Sequence, residues 1–313
     1  MVVPLSQSLT LSNGNKMPVF GLGTWQSADG EAEAAVRCAL DNGYRLIDTA
    51  KCYENESEIG NVLQEYFKSG KLKREEVFIT TKLWCTHNRK EEVESELRDS
   101  LKRLQIDYVD LYLIHSPTCF DHEMKEHDVS VKVEDIWKGM EDVYEKGLTK
   151  AIGVSNFSNE QIERIMKNAK IPIHNSQVEA YLYWPQFEHQ KVCNKYNITV
   201  TAYAPIGSPG RFNFKLCQFE EGKEALSDEV ALKLAKKYNK TTAQILLRHL
   251  IQRNFSVIPK SSNPQRIIEN SKIFDFNLTN EEVEELNNVT YRQRLFKQEF
   301  MIGHPEDGFI SER

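Results

Sequence analysis

The sequence predicts a single-domain α/β protein whose eight parallel strands close into a (β/α)8 barrel over residues 1–313. Short, nearly continuous apolar runs alternate with amphipathic helical segments, as expected of strands that crossover helices bury on both faces. Eight such strand–helix units can be counted, which is the number that closes a parallel barrel. No linker or low-complexity segment divides the chain, and a barrel of this kind can use the whole length as one domain.

A β-hairpin is predicted ahead of the barrel, because LTLSNGNKMPVF alternates around Asn13-Gly14. The apolar runs that follow predict the strands Val19–Gly23, Arg45–Thr49, Val77–Lys82, Val109–His115, Ala151–Ser155, Asn175–Glu179, Thr199–Tyr203 and Ser256–Pro259. Helix starts are marked by the capping-box pairs Ser158/Gln161, Thr241/Gln244, Thr279/Glu282 and Asn55/Glu58. Gly147 is predicted to end a helix.

Three segments are longer than ordinary connections, namely Thr118–Lys132, Ile206–Leu226 and the tail Tyr291–Arg313. Segments of this length in a compact domain are typically lids, binding loops or mobile surface. We expect the long loops to lie at the C-terminal face of the barrel and to carry the determinants of substrate choice.

Composition narrows the class of protein. The net charge of −6, without a basic face or tail, argues against nucleic acid or an anionic membrane as partner. No apolar run approaches membrane-spanning length, and the N-terminus lacks the pattern of a secretory signal. The cysteines are scattered without a CxxC pair, as in reduced cytosolic proteins, and they are Cys38, Cys52, Cys85, Cys119, Cys193 and Cys217. We therefore expect a cytoplasmic monomer that acts on a small molecule.

Polar side chains follow the apolar strands where each strand ends. In a parallel barrel these ends converge on one mouth, where such enzymes place their chemistry. The residues in question are Asp48, Tyr53, Lys82, His115, Ser155, Asn156, Gln177, Tyr203, Lys260 and Ser261. One polar residue at a strand end is weak evidence, but a core would not gather this whole set at one rim.

Four of these residues form a plausible proton-transfer group. A tyrosine phenol has a pKa near 10, too high for ready proton transfer at neutral pH. We expect Lys82 to lower the pKa of Tyr53, Asp48 to hold the lysine, and His115 to donate a hydrogen bond to a substrate carbonyl. The alternatives are a structural Asp–Lys ion pair, a packed tyrosine and a satisfied histidine.

The chain resembles the aldo-keto reductase superfamily over nearly its full length. The matching blocks are GLGTW (Gly21–Trp25), the segment Tyr44–Gly60, KLW (Lys82–Trp84), LIHSP (Leu113–Pro117), IGVSNF (Ile152–Phe157), VTAYAPIGSP (Val200–Pro209) and VIPKS (Val257–Ser261). The resemblance implies reduction of an aldehyde or ketone by hydride transfer from a nicotinamide cofactor, normally NADPH. It also implies that Tyr53 is the proton donor and that Asp48, Lys82 and His115 complete a catalytic tetrad.

The nicotinamide end of the cofactor site is predicted from side-chain chemistry. Tyr203 offers a flat ring on which a nicotinamide can stack. Ser155, Asn156 and Gln177 carry the hydroxyl and amide groups that would hold its carboxamide.

The phosphate end lacks the G-x-G-x-x-G pattern of a dinucleotide-binding fold. Instead, Asn263 is predicted to cap a helix whose first turn holds Arg266, with Lys260 just before it. Cations at a helix N-terminus are unfavourable unless an anion shares the site, which favours the 2′-phosphate of NADPH. By resemblance, further contacts come from Thr24, Trp25, Asp48 and Ser208, from Ser261, Ser262 and Asn263 to the phosphate, and from Glu269 and Asn270 to the adenine.

The family suggests Trp25, Trp84, His115 and Phe120 as the substrate pocket, with Met301 and Phe309 of the tail as further candidates. The chain departs from well-known members at several places. Ser116 stands where a tryptophan is common, which predicts a wider or more polar pocket, and Ala180–Tyr183 replaces a common CHPY run. Gln26 and Gly210 replace a lysine and an aspartate that latch two loops over the cofactor, which predicts fast cofactor release.

Two other functions are considered. A non-catalytic subunit that binds NADPH as a redox sensor would need the cofactor site but not the tetrad. A metal-dependent barrel hydrolase would need a His/Asp cluster at the strand ends, and no metal is predicted. His122-Glu123…His127 is one residue too long for the zinc motif H-E-x-x-H. The substrate stays open among sugar aldehydes, lipid-derived aldehydes, ketosteroids and prostanoids.

Overall fold

The structure is a computed structural model that describes residues 5, 7–27, 30–213 and 222–313. The strands are β1 Ser8–Thr10, β2 Lys16–Pro18, β3 Leu22–Gly23, β4 Leu46–Asp48, β5 Phe78–Leu83, β6 Leu111–Ile114, β7 Ile152–Ser155, β8 Asn175–Glu179, β9 Thr199–Tyr203 and β10 Phe255–Val257. The α-helices are α1 Glu31–Asp41, α2 Glu56–Lys68, α3 Val93–Leu104, α4 Val133–Glu145, α5 Asn159–Asn168, α6 Phe187–Lys195, α7 Glu229–Tyr238, α8 Thr242–Gln252, α9 Pro264–Ser271 and α10 Asn280–Asn287.

The strands β3 to β10 form one parallel sheet in chain order, each paired with the next. Parallel bridges from Phe20 to Val257 and from Gly23 to Lys260 join the first strand to the last. The sheet therefore closes on itself, and the predicted (β/α)8 barrel is confirmed. Strand β3 is shorter than the predicted strand Val19–Gly23, because this part of the chain pairs with the β10 segment only through these isolated bridges.

The predicted hairpin is present as the antiparallel pair β1–β2. Its apolar residues Leu11 and Met17 are buried and pack with Leu46, Phe78 and Leu111. Because those three lie at the starts of their strands, the hairpin closes the N-terminal end of the barrel. The opposite end is left for the site.

Helix ends follow the local sequence closely, with one exception. The capping boxes at Ser158, Thr241 and Thr279 all form. Gly147 follows α4 with φ of 72°, and its N–H donates to the Tyr144 carbonyl. That positive φ is the conformation in which glycine is favoured after a helix.

The predicted capping box of Asn55 and Glu58 is wrong. Asn55 precedes α2, but its amide donates to the Thr24 carbonyl at 2.8 Å. The Glu58 carboxylate instead accepts the backbone N–H groups of Gly30 and Glu33, both at 3.2 Å. Both side chains therefore connect the segment after β3 to the start of α2. The spacing of the two residues in the sequence does not indicate these tertiary contacts.

In their described parts, the long segments lie on the side of the barrel that bears the strand C-termini. The one after β6 is folded back on itself by a bridge between Phe120 and His127. Part of the predicted loop Ile206–Leu226, including Cys217, lies outside the described residues. Across the described ranges, no helix combines the length and apolar character needed to cross a membrane.

Candidate active site

A cavity of about 1280 Å³ opens at the C-terminal ends of the barrel strands. It extends from the end of β4 to the start of α9 and runs beneath the C-terminal tail. The predicted site residues that line it are Thr24, Trp25, Asp48, Tyr53, Trp84, His115, Ser155, Asn156, Gln177, Tyr203, Ser208, Lys260, Ser261, Ser262, Asn263, Arg266, Glu269 and Asn270. The predicted residues that do not contribute to its wall are Lys82, Phe120, Met301 and Phe309.

Lys82 lies beneath the cavity floor and is fully buried, with 0% of its surface exposed. Its Nζ donates to Asp48 Oδ1 at 2.5 Å, to the Thr49 carbonyl at 2.9 Å and to the Tyr53 hydroxyl at 3.2 Å. Because β4 and β5 are adjacent parallel strands, their C-terminal residues reach the same point, and a short helical turn then returns Tyr53 over the lysine. The structure thus brings together the trio that the sequence predicts.

The second carboxylate oxygen of Asp48 is also occupied. Gln177 Nε2 donates to Asp48 Oδ2 at 2.7 Å, and the Thr24 hydroxyl donates to the Asp48 carbonyl at 2.9 Å. Burial raises the pKa of Asp48, while the Lys82 ammonium and the Gln177 amide act against that rise. The Asp48 carboxylate, whose two oxygens accept from Lys82 and Gln177, is held in one orientation.

The expectation that Lys82 lowers the pKa of Tyr53 is wrong. Burial, followed by the negative charge of Asp48, raises the pKa of Tyr53 well above its ordinary value. The physical reason is that Asp48 neutralises the ammonium that was expected to favour the phenolate, while the low-dielectric surroundings penalise any charge on the ring. At neutral pH the phenol therefore keeps its proton, which is the state a proton donor requires.

His115 follows β6 and lies between two aromatic side chains. Its ring centroid is 5.6 Å from that of Tyr53 and 5.0 Å from that of Trp84, both in edge-to-face arrangements. Burial and the charge of Lys82 lower the pKa of His115 well below its ordinary value. The imidazole is therefore neutral at physiological pH. Its Nδ1 lies 3.5 Å from the sulfur of Cys52, a neighbour that the sequence analysis did not assign to the site.

The polar groups at the ends of β7, β8 and β9 hold one another in place. The Tyr203 hydroxyl donates to Asn156 Oδ1 at 2.8 Å, and Asn156 Nδ2 donates to the His115 carbonyl at 2.9 Å. Asn156 has φ of 62°, a conformation that asparagine tolerates better than most residues. Ser155 lies beside it, with Oγ 3.3 Å from Asn156 Nδ2. The amide nitrogen of Gln177 is used by Asp48, so its oxygen is the group left to accept from a ligand.

The other end of the cavity carries positive charge at a helix N-terminus. Asn263 caps α9 by accepting the Arg266 N–H at 3.1 Å, and Pro264 occupies the first turn, as predicted. Ser261 Oγ accepts the Asn263 N–H at 3.1 Å. Within the described chain, the side chains of Lys260 and Arg266 make no hydrogen bond or ion pair, and the negative charge of Glu31 on the same cavity wall acts on Lys260 from a greater distance. Two unpaired cations beside a helix N-terminus form a site for an anion such as phosphate.

The aromatic wall of the cavity differs from the predicted pocket. Trp25 and Trp84 line it, but Phe120 is buried behind Phe300, with ring centroids 6.1 Å apart. Phe300 occupies the wall instead, 6.0 Å from the ring of Trp84, and Phe296 lies 5.5 Å from the ring of Trp25. Sequence reasoning missed both phenylalanines because they lie in the tail, where no periodic pattern indicates which side chains point inward.

Ser116 is not part of the described cavity wall. It is buried, its hydroxyl is 3.0 Å from that of Thr118, and it lies 3.3 Å from the sulfur of Met301. Met301 and Phe309, the tail residues proposed from the sequence, are buried away from the cavity wall. The space around the Ser116 side chain is therefore filled by Thr118 and Met301, whereas His115 lines the cavity.

The tail is held over the cavity by a buried acid. Glu179, at the end of β8, is fully buried, and its two carboxylate oxygens accept the N–H groups of Leu295 at 2.7 Å and Phe296 at 2.9 Å. Burial raises the pKa of Glu179, and Arg294 acts against that rise. The charge of Glu179 at the end of a buried strand is the sequence signal for this contact, which the sequence analysis did not assign to the site.

The histidines of the loop after β6 do not converge. His122 Nε2 lies 2.8 Å from a Glu92 oxygen, whereas His127 Nε2 lies 3.0 Å from the Phe300 carbonyl. Within the described ranges no group of three His, Cys, Asp or Glu side chains is placed to hold a metal ion.

Gln26 and Gly210 both line the cavity, as their place in the two loops predicts.

Comparisons with known proteins agree with this geometry. The family model described as Aldo/keto reductase family matches residues 19–290. Aldo-keto reductase family 1 member A1 of Gallus gallus is 42% identical over 296 residues, covering 91% of this chain and 89% of that protein. The Xenopus tropicalis protein of the same name is 44% identical over 285 residues, covering 88% and 86%.

Solved structures are similar over almost the whole chain. The aldose reductase of Schistosoma japonicum superposes with a TM-score of 0.88 at 40% identity, covering 98% of this chain and 100% of that one. An aldo-keto reductase of Bombyx mori, solved in complex with NADP, gives a TM-score of 0.90 at 36% identity with the same coverage.

Proposed function

The chain belongs to the aldo-keto reductase family, and on that premise we propose that it reduces aldehydes or ketones to alcohols with NADPH. The observation that carries the proposal is the contact of Lys82 Nζ with both Asp48 and Tyr53 beneath a cavity whose far end carries unpaired cations. One end is suited to proton transfer and the other to a phosphate, as a nicotinamide-dependent reductase requires.

The residues present fit NADPH. The unpaired cations Lys260 and Arg266 suit a phosphate at the N-terminus of α9, and the ring of Tyr203 suits stacking at the other end. Ser155, Asn156 and Gln177 would hold the carboxamide, and Glu269 and Asn270 would contact the adenine. When bound, NADPH supplies the hydride that reduces the carbonyl carbon.

Tyr53 is the proton donor in this proposal. Its phenol transfers a proton to the oxygen that becomes the alcohol, and its raised pKa keeps that proton in place until charge develops on the substrate. The Lys82 ammonium, 3.2 Å away, then stabilises the phenolate that remains. Asp48 and the Thr49 carbonyl hold the ammonium at that point.

His115 orients the substrate. A neutral imidazole on the cavity wall beside Tyr53 can donate its single N–H to the carbonyl oxygen. Trp25, Trp84, Phe296 and Phe300 provide an apolar wall that excludes water and favours substrates with an aromatic or extended apolar group. In this proposal the protein acts as a cytoplasmic monomer.

The test is NADPH consumption with a reactive aromatic aldehyde, comparing wild type with Tyr53→Phe. Binding of NADPH to both proteins is followed by fluorescence. The proposal predicts turnover in the wild type, at least about 100-fold less in Tyr53→Phe, and equal binding in both. Tight binding without turnover by the wild type against a panel of carbonyl compounds would contradict it and favour a cofactor-sensing subunit.

A further inference from the structure

Cys52 occupies an unusual position next to the proposed proton donor. It belongs to the short helical turn Lys51–Tyr53 and lines the cavity. Its sulfur lies 3.5 Å from Nδ1 of His115, a hydrogen-bonding distance for a sulfur atom. Cys52 and Tyr53 are therefore neighbours in the chain that each contact the same imidazole ring.

The state of that ring depends on which nitrogen carries the proton. Burial and Lys82 keep His115 neutral, and a neutral imidazole has one N–H donor and one acceptor nitrogen. Within the described chain, Cys52 is the hydrogen-bond partner of the ring, and no partner for Nε2 is found. The hydrogen bond made by one ring nitrogen determines whether the other nitrogen carries the proton. The contact with Cys52 can therefore determine the tautomer of His115.

The direction of the hydrogen bond follows from the chemistry of the two groups. Burial raises the pKa of Cys52 to about 12, so the thiol keeps its proton at neutral pH. A thiol sulfur is a weak acceptor, whereas an unprotonated imidazole nitrogen is a good one. The S–H therefore donates to Nδ1, which leaves the ring proton on Nε2.

We propose that Cys52 is a positioning residue that holds His115 in the tautomer protonated at Nε2, with its N–H available to the cavity. The consequence for catalysis rests on the proposed function, since the Nε2 proton matters only if a carbonyl oxygen is bound there. The assignment of the tautomer does not depend on the proposed function. An aliphatic residue in place of Cys52 would fill the same space but could not donate a hydrogen bond to Nδ1 of His115.

The direct test is nitrogen NMR of protein labelled with 15N in its histidines, with the His115 signals identified by their loss in His115→Gln. The proposal predicts that Nδ1 of His115 in the wild type shows the shift of an unprotonated nitrogen and Nε2 that of a protonated one. Cys52→Ser, which keeps a donor, should give the same pattern, whereas Cys52→Ala should move both shifts toward a mixture of tautomers. A wild-type ring protonated at Nδ1, or a Cys52→Ala spectrum identical to that of the wild type, would overturn the proposal.

A matched control is Cys38→Ala. Cys38 is also partly buried, but its sulfur lies 3.8 Å from the Pro264 carbonyl and outside the cavity. This variant should leave the His115 signals unchanged. If it moved them as much as Cys52→Ala does, the effect would be a general response to thiol loss and the proposal would fail.

Kinetics supply a second readout. Cys52→Ala should lower kcat with a carbonyl substrate by about three- to tenfold, the equivalent of one modest hydrogen bond, without weakening NADPH binding. Cys52→Ser should recover most of that loss. Because the NMR result requires no turnover, a failure of the reductase proposal leaves the tautomer test intact, and a wrong tautomer leaves the reductase proposal intact.

Discussion

Lys82 Nζ lies 2.5 Å from Asp48 Oδ1, and both side chains are almost completely buried. A buried ion pair of this kind is poor evidence for stability in itself, because desolvation offsets much of the attraction between the charges. Its geometry here places the remaining donor capacity of the ammonium on the Tyr53 hydroxyl. The pair is better explained by the chemistry of Tyr53 than by folding.

That explanation can be separated from a structural one by mutation of both partners. Lys82→Met leaves the Asp48 carboxylate buried without its counter-charge and should lower the free energy of unfolding by about 3–5 kcal/mol. The double variant Lys82→Met/Asp48→Asn removes both charges and should recover most of that loss. Turnover should stay at least about 100-fold below wild type in both. Urea unfolding and NADPH consumption are the measurements, and wild-type turnover in the double variant would show the pair to be structural.

Arg266 should discriminate between the two nicotinamide cofactors. Arg266→Gln removes an unpaired cation at the N-terminus of α9 and should weaken NADPH binding about 10- to 100-fold, the range of a charge-assisted hydrogen bond. Binding of NADH, which lacks the 2′-phosphate, should change less than about twofold. Arg98→Gln is the control, because Arg98 pairs with Glu94 on the exposed face of α3. Equal losses for both cofactors would place the phosphate elsewhere.

The resemblance implies that Gln26 and Gly210 replace an ion-pair latch over the cofactor, so we expect cofactor release to be fast. A Cβ added at Gly210 meets no atom of the described residues within 4 Å and its φ is not positive, so aspartate fits there without backbone strain. Gln26→Lys/Gly210→Asp should slow NADPH dissociation about two- to fivefold, the range of an exposed ion pair. Stopped-flow fluorescence should show one fast phase in the wild type. Slow, multi-step dissociation from the wild-type protein would contradict this account.

The buried His249 should make stability depend on pH. Burial lowers its pKa to about 3, against about 6.5 in an unfolded chain. Below pH 6.5 the unfolded state binds a proton at His249 that the folded state does not bind. The stability that depends on a neutral His249 is therefore fully present above pH 6.5 and falls as the pH drops toward about 3. His249→Gln should reduce the slope of unfolding free energy near pH 5 by about 1.4 kcal/mol per pH unit. Urea unfolding between pH 5 and 8 measures the slope, and identical slopes would mean that His249 takes up protons in the folded state.

The barrel and most of the rim were predictable because they depend on short-range patterns. Thr199–Tyr203 forms a strand with the predicted bounds, since an apolar, β-branched run is visible without knowledge of its neighbours. Asn175–Glu179 also has the predicted bounds, although its residues are mostly polar. Once the strands are placed, Asp48 and Lys82 are expected to lie close together, because they stand at the C-terminal ends of adjacent parallel strands. Those positions follow from the sequence without any distance being known.

The substrate wall was not predictable in the same way. Phe300 lines the cavity and Phe120 lies behind it because Glu179 holds the backbone of the tail at Leu295 and Phe296. That contact joins residues more than a hundred positions apart in irregular chain, where no periodicity constrains the direction of a side chain. The pKa of Tyr53 was mispredicted for a related reason, since its direction depends on how deeply the group is buried.

Isotope transfer tests most directly whether this protein transfers a hydride from NADPH to a carbonyl carbon. The protein is incubated with an aromatic aldehyde and NADPH carrying deuterium at the transferable position of the nicotinamide, and the product is analysed by mass spectrometry. The account predicts an alcohol with one deuterium on the former carbonyl carbon, formed by the wild type and not by Tyr53→Phe. An alcohol without deuterium, or the absence of alcohol although NADPH is bound, would contradict it.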